Sequence, residues 1–142
     1  MIRKSMTEWQ GDGLHGTGSL TTESGALRAL PFSFKTRFED GHSGTNPEEL
    51  LGAAHAACFA MTVAFVLTDA GHPAQQLNVA AAVEISKVGA GFAITSIALD
   101  LEARVEGLGI DQFRALAEGA KINCPVSKAL SATPISLTAR LT

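Results

Sequence analysis

Asn46-Pro47-Glu48-Glu49-Leu50-Leu51-Gly52-Ala53-Ala54-His55-Ala56-Ala57-Cys58-Phe59-Ala60-Met61-Thr62-Val63-Ala64-Phe65-Val66-Leu67 is the stretch on which the fold turns. Asn46 can cap a helix, Pro47 suits its first position, and Glu49 stands three residues after Asn46, as a capping box requires. The helix is predicted to start at Pro47 and to stop near Gly71, which follows Ala70. From Leu50 to Leu67 nearly every residue is apolar, which also meets the length of a membrane span. The composition argues against a span. The run holds many Ala plus Gly52, His55 and Thr62, has acids rather than Lys or Arg beside both ends, and lacks Trp or Tyr anchors. A helix apolar all round is then a buried central helix, covered by its own sheet and by a second subunit.

Upstream, Ser5–Gln10 and Thr17–Thr22 read as strands joined by the Gly-rich stretch Gly11–Gly16, with a further turn at Glu23-Ser24-Gly25. Pro31–Phe38 partly alternates apolar with polar residues, and Glu39–Thr45 is a polar loop. Downstream, Leu77–Lys87 and Phe92–Val105 are strand-like and should pair antiparallel through a turn at Val88-Gly89-Ala90-Gly91. Asp111 opens a second helix with Phe113, Leu116 and Ala117 on one face. Cys124-Pro125 breaks it and starts a short third helix through Leu130, and Pro134 precedes a last strand, Ile135–Leu141. This order spells an α+β fold with helices packed on antiparallel sheet.

The 142 residues fit one domain, 1–142, and 46% apolar with 18% charged residues is a globular composition. A net charge of −3 without Lys/Arg clusters argues against nucleic acid as a partner. Met1–Gln10 has no apolar segment of signal-peptide length behind it, so a cytoplasmic protein is expected, with no membrane partner. In that reducing compartment two cysteines are catalytic or inert rather than structural.

Gly11-Asp12-Gly13-Leu14-His15-Gly16 matches a dinucleotide fingerprint in letters only, because a strand rather than a helix follows it. His15, His42, His55 and His72 show no metal-ligand spacing, so neither a metal nor a cofactor is expected. His55 lies three residues before Cys58, near the same helix face, where it can hydrogen-bond near the thiol or simply pack in the core. Cys58, in the middle of an apolar helix, reads alone as a small hydrophobe, and burial would raise its pKa unless a cation stabilised the thiolate. Cys124 precedes a helical turn of Ser127, Lys128 and Ala129, so local physics makes it the more acidic thiol. Which sulfur attacks stays open at this level.

Thr36-Arg37-Phe38-Glu39, then Gly44-Thr45-Asn46-Pro47-Glu48-Glu49-Leu50 and Gly52-Ala53-Ala54-His55-Ala56-Ala57-Cys58-Phe59, resemble the osmotically inducible protein C (OsmC) family. So does Asn123-Cys124-Pro125-Val126-Ser127, and the similarity extends through Thr22-Glu23-Ser24-Gly25 and Gly91-Phe92-Ala93-Ile94-Thr95. The resemblance implies an intertwined homodimer and a thiol-dependent reduction of hydroperoxides, preferably organic ones. It implies that Cys58 is peroxidatic and Cys124 resolving, with a disulfide between them during turnover, and it carries the active-site arginine and glutamate onto Arg37 and Glu48. An arginine just before the Gly-Thr-Asn-Pro-Glu motif fits the OsmC subgroup rather than the related organic hydroperoxide resistance subgroup.

Peroxide reduction needs an ionised thiol and a donor for the leaving oxygen. Arg37 can serve both, oriented by a bidentate pair with Glu48. Glu48 and Cys58 stand about 15 Å apart along a straight helix, so an Arg37 that spans the gap or a site shared between two subunits is required. An external dithiol must then reset the disulfide. Phe59, Met61 and Phe65 would favour organic peroxides if they lined the site. Two rivals are a noncatalytic small-ligand or interaction protein and a thiol-disulfide oxidoreductase, the latter weakened by the lack of Cys-x-x-Cys.

Overall fold

Glycine turns punctuate the start of the chain, and the first three strands run as a meander. In the computed structural model, which describes residues Met1–Thr142, β1 (Ser5–Gln10), β2 (Thr17–Thr22) and β3 (Leu30–Ser33) form an antiparallel sheet in that order. β1 and β2 pair from Ser5 opposite Thr22 to Gln10 opposite Thr17. The Gly-rich run between them is a hairpin loop in which the Asp12 carboxylate accepts from the backbone N–H of Leu14 at 2.8 Å and of His15 at 2.9 Å. No helix follows, so the fingerprint-like letters cradle no pyrophosphate. Gly18 is fixed by packing: a Cβ there would collide with the rings of Phe32 and Trp9, which meet beside it with centroids 5.5 Å apart.

The alternation that begins at Pro31 ends at Ser33, where the chain turns into the short helix α1 (Phe34–Phe38). A local capping box does this. The Ser33 hydroxyl accepts from Thr36 N–H at 3.2 Å, and the Thr36 hydroxyl oxygen accepts from Ser33 N–H at 2.8 Å. The Thr36 hydroxyl donates in turn to the Thr45 carbonyl at 2.8 Å, and Thr45 N–H donates to the Pro31 carbonyl at 2.9 Å. These bonds hold α1 beside the start of the long helix α2 (Pro47–Asp69), which begins at the predicted residue. Asn46 caps it through Glu49 N–H at 2.8 Å, while the Glu49 carboxylate accepts from the Thr45 hydroxyl at 3.1 Å.

The chain groups into two compact units, Met1–Leu50 and Leu51–Thr142. In the second unit β4 (Gln76–Val88) and β5 (Gly91–Arg104) form the expected antiparallel hairpin, with a bulge at Glu84/Ile85. The helices α3 (Ile110–Asn123) and α4 (Pro125–Ala129) lead to β6 (Ile135–Leu141). Because this helical crossover returns the chain to the same end of the sheet, β6 lies parallel to β5, an exception to the antiparallel pairing expected throughout.

The core of this unit follows the period of each element. Ile97, Leu99, Leu101 and Ala103 are the buried alternates of β5. Phe113, Ala117 and Ala120 are the buried stripe of α3, with Leu116 partly buried beside them. Phe59, Val63 and Leu67 supply the matching stripe of α2. Each large side chain removed from water in this way contributes about 1.5–3 kcal/mol before conformational entropy is counted. Gly52 lets α2 approach β4, since a Cβ there would stand 3.0 Å from the Ala81 carbonyl oxygen. Length and composition would suit α2 to a membrane crossing, and one stripe of it packs in the core of this unit. The helix is buried along one face only: Met61 and Phe65 on the other are 64% and 70% exposed.

Candidate active site

The predicted site residues fall into two clusters, one in each unit. In the first, α1 carries Arg37 and the opening turn of α2 carries Glu48. The Arg37 Nε–H donates to both Glu48 carboxylate oxygens, at 3.2 and 3.1 Å, and Nη2 donates to Oε1 at 2.6 Å. Glu48 is buried, its side chain 8% exposed, while that of Arg37 is 37% exposed. The carboxylate thus fixes the guanidinium and leaves part of the fork free. The Arg37 guanidinium also lies over the Phe38 ring, 5.2 Å from its centroid, and the Phe38 ring meets that of Phe34 at a tilt, with centroids 4.8 Å apart. Arg37 opens onto a small cleft of about 130 Å³ lined by Trp9, Phe32, Phe34, Phe38 and Pro47. A cation in an aromatic cleft can present donors to an oxygen while its walls accept an apolar group.

The second cluster sits where α2 meets the break between α3 and α4. Cys124 is fully buried at that break, Cys58 is half-buried on α2, and both are free thiols. They lie near enough for each to affect the other's ionisation. Burial pushes the Cys58 thiol up, the Val126 N–H offsets part of this, and the neighbouring Cys124 raises it further. Burial also pushes Cys124 up, but there the Ser127 N–H, the Cys58 thiol, the Ser127 hydroxyl and the Val126 N–H together outweigh it and bring the pKa below its ordinary value. The Cys124 side chain forms no regular capping bond, so these donors act by proximity to the sulfur. As the sequence suggested, Cys124 is the more acidic of the pair.

Beneath the thiols lies a contact that sequence reasoning left open. His55 has no solvent exposure, and its Nε2 is 2.8 Å from Ser127 Oγ. Its Nδ1 has no hydrogen-bond partner, and burial alone lowers the pKa of the ring. Ser127 was legible only as part of a helical turn, although its place three residues after Cys124 puts it beside the sulfur once α4 forms. Phe59 belongs to the core, and Met61 and Phe65 lie on the exposed face of α2, so within one chain they do not line a peroxide pocket. No three His, Cys, Asp or Glu side chains gather as metal ligands would.

Comparison with known proteins places the chain in a family. The profile of the OsmC-like proteins matches residues 39–139, a span that includes Glu48, Cys58 and Cys124, with Arg37 two residues before it. Peroxiredoxin OsmC of Escherichia coli (strain K12) is 48% identical over 130 residues, which are 92% of this chain and 90% of that protein. Among solved structures, the organic hydroperoxide resistance protein OhrB of Bacillus subtilis superposes with a TM-score of 0.70 at 23% identity, over 98% of both chains. The OsmC-like protein from Mycoplasma pneumoniae gives 0.77 at 14% identity, over 100% of this chain and 98% of that one. The two structural likenesses speak for the fold, and with the matched motifs and the E. coli relative they lead to one conclusion: this chain belongs to the OsmC-like protein family.

Proposed function

We propose that this protein is a thiol-dependent peroxidase that reduces organic hydroperoxides to alcohols in stress defence, with Cys58 attacking and Cys124 resolving. The observation that carries the reading is that two free thiols, one from α2 and one from the α3–α4 break, pack in the same core and affect each other's ionisation. The name of the E. coli relative, a peroxiredoxin, supports the same chemistry.

The Cys58 thiolate attacks one peroxide oxygen, the O–O bond breaks, and the alkoxide leaves to be protonated to alcohol. Cys58 is left as a sulfenic acid. The Cys124 thiolate then attacks the Cys58 sulfur, the S–O bond breaks, and hydroxide leaves as water after taking up a proton. An external dithiol reduces the disulfide, which suits a reducing compartment such as the cytoplasm. Arg37 is the cation that offsets the burial penalty on Cys58 and the donor for the leaving oxygen, and Glu48 holds its fork. We place this pair and the thiols in one site by homodimer formation. The exposed stripe of Met61 and Phe65 on α2 is the apolar face that a second copy of this chain would cover.

One equivalent of cumene hydroperoxide added to the reduced protein tests the reading. The expected product is a Cys58–Cys124 disulfide in the peptide map, with catalytic consumption of dithiol. Cys58→Ser abolishes turnover, whereas Cys124→Ser still forms a Cys58 sulfenic acid but does not recycle efficiently. Absence of turnover with both cysteines left as thiols supports a noncatalytic ligand-binding protein instead.

A further inference from the structure

We propose that His55 is a positioning residue for the resolving step: through Ser127 it orients a hydroxyl O–H toward Cys124 and keeps that sulfur a thiolate while Cys58 is oxidised. The proposal rests on the peroxidase reading for the step it governs, but its geometry stands alone. His55 Nε2 is 2.8 Å from Ser127 Oγ, the His55 ring is fully buried, and Ser127 is buried in the first turn of α4, whose N-cap residue is Cys124.

The unpartnered Nδ1 decides which way the bond runs. If Nδ1 held the proton, a buried N–H would be left without an acceptor, which folded proteins avoid more strictly than an under-used acceptor. The tautomer with the proton on Nε2 leaves only a bare lone pair on Nδ1. In that tautomer Nε2–H donates to Ser127 Oγ, so the Ser127 proton cannot point at His55 and is free to turn to the Cys124 sulfur. A hydroxyl that accepts one hydrogen bond also donates a stronger one. His55 transfers no proton; burial holds its pKa down, so the ring stays neutral and the direction of the bond is stable.

The other groups around Cys124 leave this role open to His55 and Ser127. Cys58 faces it from α2, Val126 N–H from α4, and its remaining core neighbours are apolar. The lysines nearby in sequence, Lys121 and Lys128, line a groove with Ser127, and Lys121 is paired with Glu118 at 2.6 Å.

The test uses the full chain in two arms. In the first, Cys58→Ser protein is alkylated with iodoacetamide across pH, and the Cys124 midpoint is compared with and without Ser127→Ala. A higher midpoint with Ser127→Ala supports the proposal; an unchanged one overturns it. In the second, single-turnover quenching after peroxide follows conversion of Cys58 sulfenic acid to disulfide. Loss of one hydrogen bond to a charged group predicts that Ser127→Ala and His55→Leu slow this conversion about tenfold at neutral pH. The gap should close at alkaline pH, where Cys124 ionises unaided. His55→Gln keeps an N–H near the Nε2 position and should retain most of the rate. A loss equal at every pH, or a Gln variant as slow as Leu, means a packing role and overturns the proposal. The alkylation arm uses no peroxide, so it fails or succeeds whether or not Cys58 reacts with hydroperoxide.

Discussion

Replacing Arg37 by Lys separates the two things its guanidinium does, carrying charge and holding a fork. Three donor contacts reach the buried Glu48 carboxylate, at 3.2, 3.1 and 2.6 Å. One ammonium can reproduce the shortest but not the pair made by Nε. Hydrogen bonds to charged groups contribute about 1.5–3 kcal/mol each when fully buried. Arg37 is 37% exposed, so water refills part of the loss, and the stability cost of Arg37→Lys should be only about 1–2 kcal/mol. That leaves the variant folded, and a urea titration checks it. The kinetic cost should be larger. In the proposed mechanism the donor would no longer point where the alkoxide forms, and removal of one preorganised donor typically lowers the rate about 10²–10³-fold. Stopped-flow oxidation of Cys58 by cumene hydroperoxide should therefore slow by about a hundredfold in Arg37→Lys, with Arg37→Ala at least as slow. A Lys variant within about threefold of the parent, beside an inactive Ala variant, would show that a point charge suffices and refute the fork.

Glu48→Gln should leave one acceptor for Arg37 and slow Cys58 oxidation less than Arg37→Ala does; a rate equal to the parent's would remove Glu48 from the site. Met61→Glu combined with Phe65→Glu should yield a monomer by sedimentation with little turnover, because the apolar face of α2 would then repel its copy; an active monomer would rule out a shared site. Burial lowers the pKa of His55, so the unfolded chain takes up this proton first as pH falls. Stability should be full above the ordinary histidine pKa of about 6.5 and fall below it, by at most about 1.4 kcal/mol per pH unit for one proton. Urea midpoints at pH 7.5 and 5 would show this, and His55→Gln should flatten the slope. Reduction of the disulfide should pass through a mixed disulfide on Cys58, since the lower-pKa thiolate of Cys124 leaves faster. Trapping with a monothiol and mapping the adduct would detect the reverse.

Local chemistry made most of the fold legible. Asn46-Pro47-Glu48-Glu49 carried the start of α2 because its cap is built from adjacent residues. Ser5–Gln10, Thr17–Thr22 and Ile135–Leu141 were bounded by turn residues and appear as strands with those limits. Two features were hidden for different reasons. The five-residue α1 is shorter than the window in which helical periodicity can be seen, and its Ser33–Thr36 box sat inside an alternating pattern. The parallel β5–β6 pair is set by where the α3–α4 crossover lands, which no local pattern specifies. The site divides in the same way. The nearness of Cys58 and Cys124 came from the family resemblance, not from their spacing, and the His55–Ser127 bond joins residues far apart in sequence that only packing brings together.

The acidity of the two sulfurs then has a mechanistic sense. The more acidic thiol is Cys124, yet the family resemblance assigns the attack on peroxide to Cys58. A resolving thiol must be ionised when the sulfenic acid appears, because delay exposes Cys58 to further oxidation. On the proposed reading, the Ser127 donors that lower the Cys124 pKa supply that readiness without help from a cation. Cys58 has no such donors beyond the Val126 N–H, and burial opposes its ionisation. In the proposed mechanism its thiolate would depend on a charge that another element brings, the role given there to Arg37, which Glu48 fixes. Coupling the reactivity of Cys58 to Arg37 in this way would confine peroxide chemistry to the assembled site, while Cys124 stays ready in every copy of the chain.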